Sequence, residues 1–227
     1  GFLPAIYQIV KMCPASKPTK VVENRDSEAP CNAVHRQTLF FTATWPAAVR
    51  DAAHRMVASS AAEVRIAQRD SGKLTANKDV SQTVEVMPAH GAKLERVNEV
   101  LKRDLDGGTT MIFCKTQKRC EWLAKKIQAA HPFAWVRSMH AGKDQHERED
   151  TLAIFRDITA KGAKQKGILV ATNLAARGID VPGVCLVVVY DFCTVEDYVH
   201  QIGRTGRAGA HGEAMTFYVA GDGDARE

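Results

Sequence analysis

From Gln82 onward the apolar positions switch between two periods. Runs that are apolar throughout, or apolar at every second residue, predict strands at "QTVEVM" (82–87), "TMIFC" (110–114), "AWVRSMH" (134–140), "KGILVAT" (166–172), "VCLVVVYD" (184–191) and "EAMTFYV" (213–219). Between them the period is helical. "AKLERVNEVLKRDL" (92–105) sets Leu94, Val97, Leu101 and Leu105 on one face, and "QKRCEWLAKKIQAA" (117–130) does the same with Cys120, Leu123, Ala124 and Ile127. "KDQHEREDTLAIFRDI" (143–158) reads as a helix with a very polar first half, and Thr194 is placed to cap a helix beginning "VEDYVHQ". Strands such as "LVVVY" must be buried on both faces, and strand–helix alternation then predicts an α/β fold with a mainly parallel sheet. In such folds ligands sit outside the carboxyl ends of the strands, here the loops after Cys114, His140, Thr172 and Asp191.

The first 66 residues do not repeat this pattern. They offer a helix in "FLPAIYQIVKM", a polar stretch, a strand in "QTLFFTAT" (37–44), a helix in "PAAVRDAAHRMV" and a short strand in "AEVRIA". Two helices and two strands cannot close a core, and residues 67–80, polar with Gly72, read as a linker. The predicted division is 1–66, 67–80 and 81–227.

Composition changes this picture little. Hydrophobic residues are 45% and charged residues 25%, the mix of a soluble globular chain. No apolar run is long enough to span a membrane, and the apolar start has no basic leader or cleavage site, so it is expected to be a helix rather than a signal peptide. Six scattered cysteines with no C-x-x-C fit a reduced, intracellular protein and argue against a metal site. The net charge of +5 is uneven. Residues 1–80 carry 11 basic and 7 acidic groups, the rest 20 and 19, so any polyanion would have to bind a local groove.

Five stretches could carry chemistry, each with an ordinary reading beside the functional one. In "YVHQIGRTGRAG" (198–209) a continuing helix would put His200 and Arg204 on one face, and the glycines would let something approach the backbone. The Arg204–Arg207 spacing suits phosphate, although a surface arginine pair beside a turn reads alike. In "ILVATNLAARGIDVPGV" (168–184) Thr172 ends a strand and Asp180 could accept from ribose hydroxyls, while an ordinary βα turn with a helix-ending Gly178 reads alike. "SMHAGKDQHERED" (138–150) sets Gln145 and Arg148 three apart after Gly142, and "IFCKTQKRC" (112–120) places Lys115, Thr116, Gln117 and Lys118 at a helix N-terminus, a natural anion site. "LFFTATWP" (39–46) has Thr42, Ala43 and Thr44 ahead of Pro46, where helix capping explains the pattern equally well.

Taken in order, "FFTATWP", "IFCKTQKRC", "HAGKDQHER", "ATNLAARGIDVP" and "YVHQIGRTGRAG" resemble the DEAD-box RNA helicases of superfamily 2 across nearly the whole chain. The resemblance implies two RecA-like lobes, with ATP and Mg2+ in the cleft between them and RNA across both. By it Arg204 and Arg207 are arginine fingers, His200 links nucleotide state to neighbouring motifs, and Gly178 and Asp180 contact the nucleotide, Asp180 at the ribose. Thr116, Gly142, Gln145, Arg148 and Thr172 match positions that grip the RNA backbone, single-stranded or duplex, without sequence preference. Thr42, Ala43 and Thr44 match the motif that couples hydrolysis to unwinding. Four residues depart from the family pattern: Gln201 replaces arginine, Asn173 aspartate, Cys193 proline and Thr42 serine.

There is no G-x-x-x-x-G-K-[ST] and no D-E-A-D in the chain. The resemblance therefore implies that Gly1 lies just downstream of the D-E-A-D box, with roughly 150 residues, about one lobe, preceding it. Residues 1–66 would be the tail of that first lobe. The chain alone is expected not to hydrolyse ATP, and the 38–44 strand is expected to seek a partner, either a second copy or the second lobe. A protein activator is a further expected partner. The competing readings are a truncated, non-enzymatic RNA- or protein-binding module and a related motor acting on DNA. A dinucleotide enzyme is excluded for want of G-x-G-x-x-G.

Overall fold

The computed structural model describes residues 3–13, 38–42, 47–57, 61–64, 77–103, 108–160, 166–176, 181–207 and 209–220. The chain divides into two compact units, Gly1–Lys73 and Leu74–Glu227.

In the second unit six strands form one sheet: β1 (Val80–Met87), β2 (Thr109–Cys114), β3 (Trp135–Met139), β4 (Gly167–Thr172), β5 (Val184–Val189) and β6 (Gly212–Val219). Their order is β1-β6-β5-β2-β4-β3 and every pairing is parallel. Helices α3 (Ala92–Arg103), α4 (Gln117–Ala130), α5 (Gln145–Ala160), α6 (Asn173–Ala176) and α7 (Val195–Ile202) make the crossovers, and α1 (Leu3–Met12) and α2 (Ala47–Met56) belong to the first unit.

Strand alternation sorts the sheet into two cores. Ile112, Val170 and Val188 point to one face, where they meet Val97 and Leu101 of α3 and Leu123 and Ile127 of α4. Met111, Phe113, Leu169 and Val187 point to the other, against Phe155 of α5 and Ile202 of α7. The central strands β2 and β4 are buried at every position, as their unbroken apolar runs require. The predicted face of α4, Cys120, Leu123, Ala124 and Ile127, is the buried one. On α3, Val97 and Leu101 are buried and Leu94 packs at the core margin, while Leu105 lies outside the described residues.

The first unit contains α1 (Leu3–Met12) and α2 (Ala47–Met56), where helices were predicted. The strand predicted at 37–44 is not one over its described part. Residues 38–42 have no ladder among the described residues, and Leu39 and Phe41 are exposed. The same holds for 62–64, the described part of "AEVRIA". Apolar pattern alone does not make a strand, because its backbone groups need a neighbour to pair with. No helix among the described residues is long and apolar enough to cross a membrane.

Candidate functional site

The registers of β2, β4 and β3 bring three loops to one end of the sheet. Cys114 lies opposite Thr172, and Met139 opposite Ala171. Thr116 caps α4, its Oγ accepting the N–H of Arg119 at 3.2 Å. The hydroxyl hydrogen is left to donate outward. The loop after β3 turns on Lys143 N–H to His140 C=O, and Asp144 Oδ1 accepts the N–H of Glu147 in the first turn of α5. A Cβ on Gly142 would stand 2.6 Å from Gln117 Oε1 and 3.1 Å from His140 Nδ1, so this loop lies directly against the first turn of α4. On α5, Arg148 Nη1 donates to Gln145 Oε1 at 3.2 Å, and Gln145 Nε2 donates to Glu149 at 2.6 Å. Arg148 Nε is buried and has no hydrogen-bond partner among the described residues. Thr172, at 7% exposure, is the deepest of the predicted contacts.

Two groups that sequence reading passed over hold these loops. Glu121 Oε1 accepts from Ser138 Oγ at 2.6 Å and from His140 Nε2 at 2.7 Å. Because a carboxylate only accepts, Nε2 carries the proton, and Nδ1 is then the acceptor that takes the N–H of Gly142 at 3.2 Å. Burial raises the Glu121 pKa, but the bonds from Ser138 and His140 and the charge of Lys143 outweigh it and hold the carboxyl below its usual range. Lys93 is 1% exposed. Its ammonium donates to the Tyr190 carbonyl at 2.9 Å and lies 3.7 Å from Asp191, whose other oxygen accepts the N–H of Lys115. The one clue to Glu121 is that it is the sole acid on an otherwise basic helix. Lys93 had none, since a helical-face count scores lysine as solvent-facing.

The arginine loop is built differently. α7 is capped by Thr194 Oγ1, as predicted, but ends at Ile202 with Gly203 as its C-cap. Arg204 therefore lies past the helix, in a turn closed by its N–H to the Gln201 carbonyl, and does not extend a helical face shared with His200. Arg207 Nε donates to Gly203 C=O at 2.9 Å. Between the arginines, Thr205 Oγ1 donates to the carbonyls of Val184 and Cys185, and Asn77 Nδ2 donates to Gly206 C=O at 2.6 Å. Gly206 has φ +66°, and a Cβ there would stand 2.6 Å from Val80 Cγ2. What approaches this backbone is the protein's own sheet, at the amino ends of β1, β5 and β6 and not at the carboxyl ends.

A hydrogen bond joins the two regions. Gln201, 3% exposed, donates through Nε2 to Asn173 Oδ1, next to Thr172. Its Oε1 is buried without a partner among the described residues. Gly178, Asp180, Ala43 and Thr44 lie outside the described residues, and Thr42 is exposed in the first unit. Cys114 and Cys120 are buried, and desolvation pushes both thiols up, Cys120 to about 11. Among the described residues no group of three or more His, Cys, Asp or Glu could hold a metal ion.

A six-stranded parallel sheet covered on both faces, with polar loops where its strands end, defines a RecA-like α/β lobe. The description "Helicase conserved C-terminal domain" matches residues 92–209. The chain is 44% identical over all 227 residues to DEAD-box ATP-dependent RNA helicase 46 of Arabidopsis thaliana, and 39% identical over 227 residues to helicase 14 of the same plant. It spans only 30% and 31% of the lengths of those relatives. Among solved structures it is similar to S. cerevisiae Dbp5 bound to RNA and ADP BeF3, with TM-score 0.61 and 28% identity over 79% of this chain and 44% of that one. It is also similar to Prp28 from Chaetomium thermophilum bound to ADP, with TM-score 0.54 and 36% identity over 63% of this chain and 34% of that one. The chain belongs to the helicase conserved C-terminal domain family, in its DEAD-box RNA helicase branch.

Proposed function

We propose that the chain is the C-terminal part of an ATP-dependent motor that unwinds or remodels RNA. In this reading residues 81–227 are the second lobe, 67–80 the linker and 1–66 the tail of the first lobe. The observation that carries it is the pairing of two separately anchored constellations in one lobe. One is the row formed by Thr116, Gly142, Gln145 and Arg148 beside the end of β4; the other is the Arg204–Arg207 loop.

The first constellation is suited to a sugar–phosphate backbone. It offers a capping hydroxyl, a close-approach glycine and a guanidinium with an unmatched buried donor, none of which reads base identity. The second offers two always-charged planar forks, which suit the charge of a transferring phosphoryl group. ATP with Mg2+ would supply that group when bound, and Mg2+ falls to the first lobe rather than to a residue of this chain. Arg204 and Arg207 orient and neutralise, while His200, beside Gln201, relays their position toward the end of β4. Gly178 and Asp180 would line the nucleotide, and Thr42, Ala43 and Thr44 would couple the two lobes. Dbp5, seen with RNA and ADP BeF3, supports both ligands.

The test joins this chain to the first lobe of Arabidopsis helicase 46 and measures RNA-stimulated phosphate release. The chain alone should release none above background. In the joined protein Arg204→Ala and Arg207→Ala should each lower kcat about 10³-fold with RNA affinity unchanged. Wild-type turnover from either variant would overturn the assignment. A joined protein that binds RNA but releases no phosphate would instead make the chain a binding module.

A further inference from the structure

On α4 the cations stand in one row around a tryptophan. On α3, Arg96 is locked between Glu85 and Glu99, and at the start of α5 Lys143 pairs with Glu147. On α4 the exposed Lys118, Lys125 and Lys126 and the half-buried Arg119 have no carboxylate partner among the described residues. The helix's one acid, Glu121, is turned inward to Ser138 and His140. Trp122 stands among these cations, 39% exposed, with the Arg119 guanidinium 5.6 Å from its ring centre. At 100° per residue, Lys118, Arg119, Trp122, Lys125 and Lys126 cover roughly a third of the helix circumference and about 12 Å of its length. The buried Cys120, Leu123, Ala124 and Ile127 occupy the opposite side.

We propose that this outward face of α4 is a second RNA contact, an outer track for the strand beyond the site at the carboxyl ends. The proposal rests on the RNA-binding reading given above. Two observations choose RNA as the occupant. The first is charge complementarity: four cations without carboxylates, around a solvent-open indole, form the combination of backbone attraction and stacking platform that holds a single strand. The second is continuity. Thr116 caps the same helix, and Gln117 in its first turn abuts the Gly142 loop, so a strand gripped there meets Lys118 next. Because Arg119 lies over the indole, the ring is oriented before a base arrives.

The experiment uses the 227-residue chain and two oligouridylates, one of about 5 nucleotides and one of about 15. It compares wild type, the triple variant Lys118→Gln/Lys125→Gln/Lys126→Gln, Trp122→Phe and Arg148→Ala. Circular dichroism confirms that each is folded, and glutamine keeps the helix propensity of lysine. The triple variant should lose about tenfold or more in affinity for the longer oligomer. Its salt slope should fall by about 2, the value for three phosphate contacts on a single strand, with the shorter oligomer unaffected. Trp122→Phe should abolish the fluorescence change that only the longer oligomer produces. Equal losses for both oligomers, or none for either, would overturn the outer track. Arg148→Ala should weaken both oligomers; if it weakens neither, the inner RNA site fails while the outer track is judged on its own variants. A triple variant that binds RNA as wild type but no longer binds polyglutamate would assign the face to acidic protein segments and overturn the proposal.

Discussion

Glu121 takes two hydrogen bonds on a single oxygen with the Lys143 ammonium 3.8 Å away, and through His140 it fixes the N–H of Gly142. A carboxyl held below its usual range adds stability above that range and loses it as pH falls through the lowered value. Glu121 is more than a third exposed, so solvent screening reduces the contribution to about 0.5 kcal/mol. In urea unfolding between about pH 5 and pH 3, wild type should lose that increment relative to Glu121→Gln, whose amide oxygen keeps both acceptor roles without a charge. Parallel pH profiles for the two proteins would remove Glu121 from the network. Single residues were the least legible part of this site. Arg148, Gln145 and Gly142 stood out through spacing, whereas Lys93 and Glu121 act through partners distant in the chain, Tyr190 just past β5 and Ser138 in β3, which no local pattern joins to them.

Elements were more legible where the period of the sequence coincides with burial. α4 shows this: its four predicted apolar positions are the buried ones. The predicted strand at 37–44 shows the converse, because an apolar run becomes a strand only with a pairing neighbour, and 38–42 has no ladder among the described residues. The arginine loop lies between these cases. Its glycines were visible, but the reason for them comes from β6. A Cβ on Gly212 would stand 2.1 Å from Thr205 Oγ1 and 2.4 Å from the backbone nitrogen of Gly206. Gly212→Ala should therefore push the loop off the sheet edge and cost about 1–3 kcal/mol, read as a lowered urea midpoint. In the joined helicase it should reduce kcat while leaving RNA affinity at the carboxyl-end site unchanged. A fully active Gly212→Ala protein would show that the arginines do not depend on this anchoring.

Among the described residues, every strand and both hydrophobic cores lie within residues 77–219. A protein beginning at Leu74 should therefore unfold cooperatively with a midpoint within a few degrees of that of the 227-residue chain. A drop of ten degrees or more in a thermal melt would mean that residues 1–73 carry part of the stability of the sheet.

The sheet's edge has a further consequence, for how the chain acquires its shape. β1 comes first among the six strands, yet among the described residues it pairs with β6 alone, from Val80 opposite Gly212 to Met87 opposite Val219. Its ladder cannot form until β2 to β5 and their crossovers have been synthesised and β6 has followed. Closing so long a loop makes this a slow, non-local step of folding. Until then a nascent chain presents an unpaired strand with Val80 and Met87, both buried in the folded protein, still open, which is the interval in which a chaperone, or another copy of the same strand, would find it.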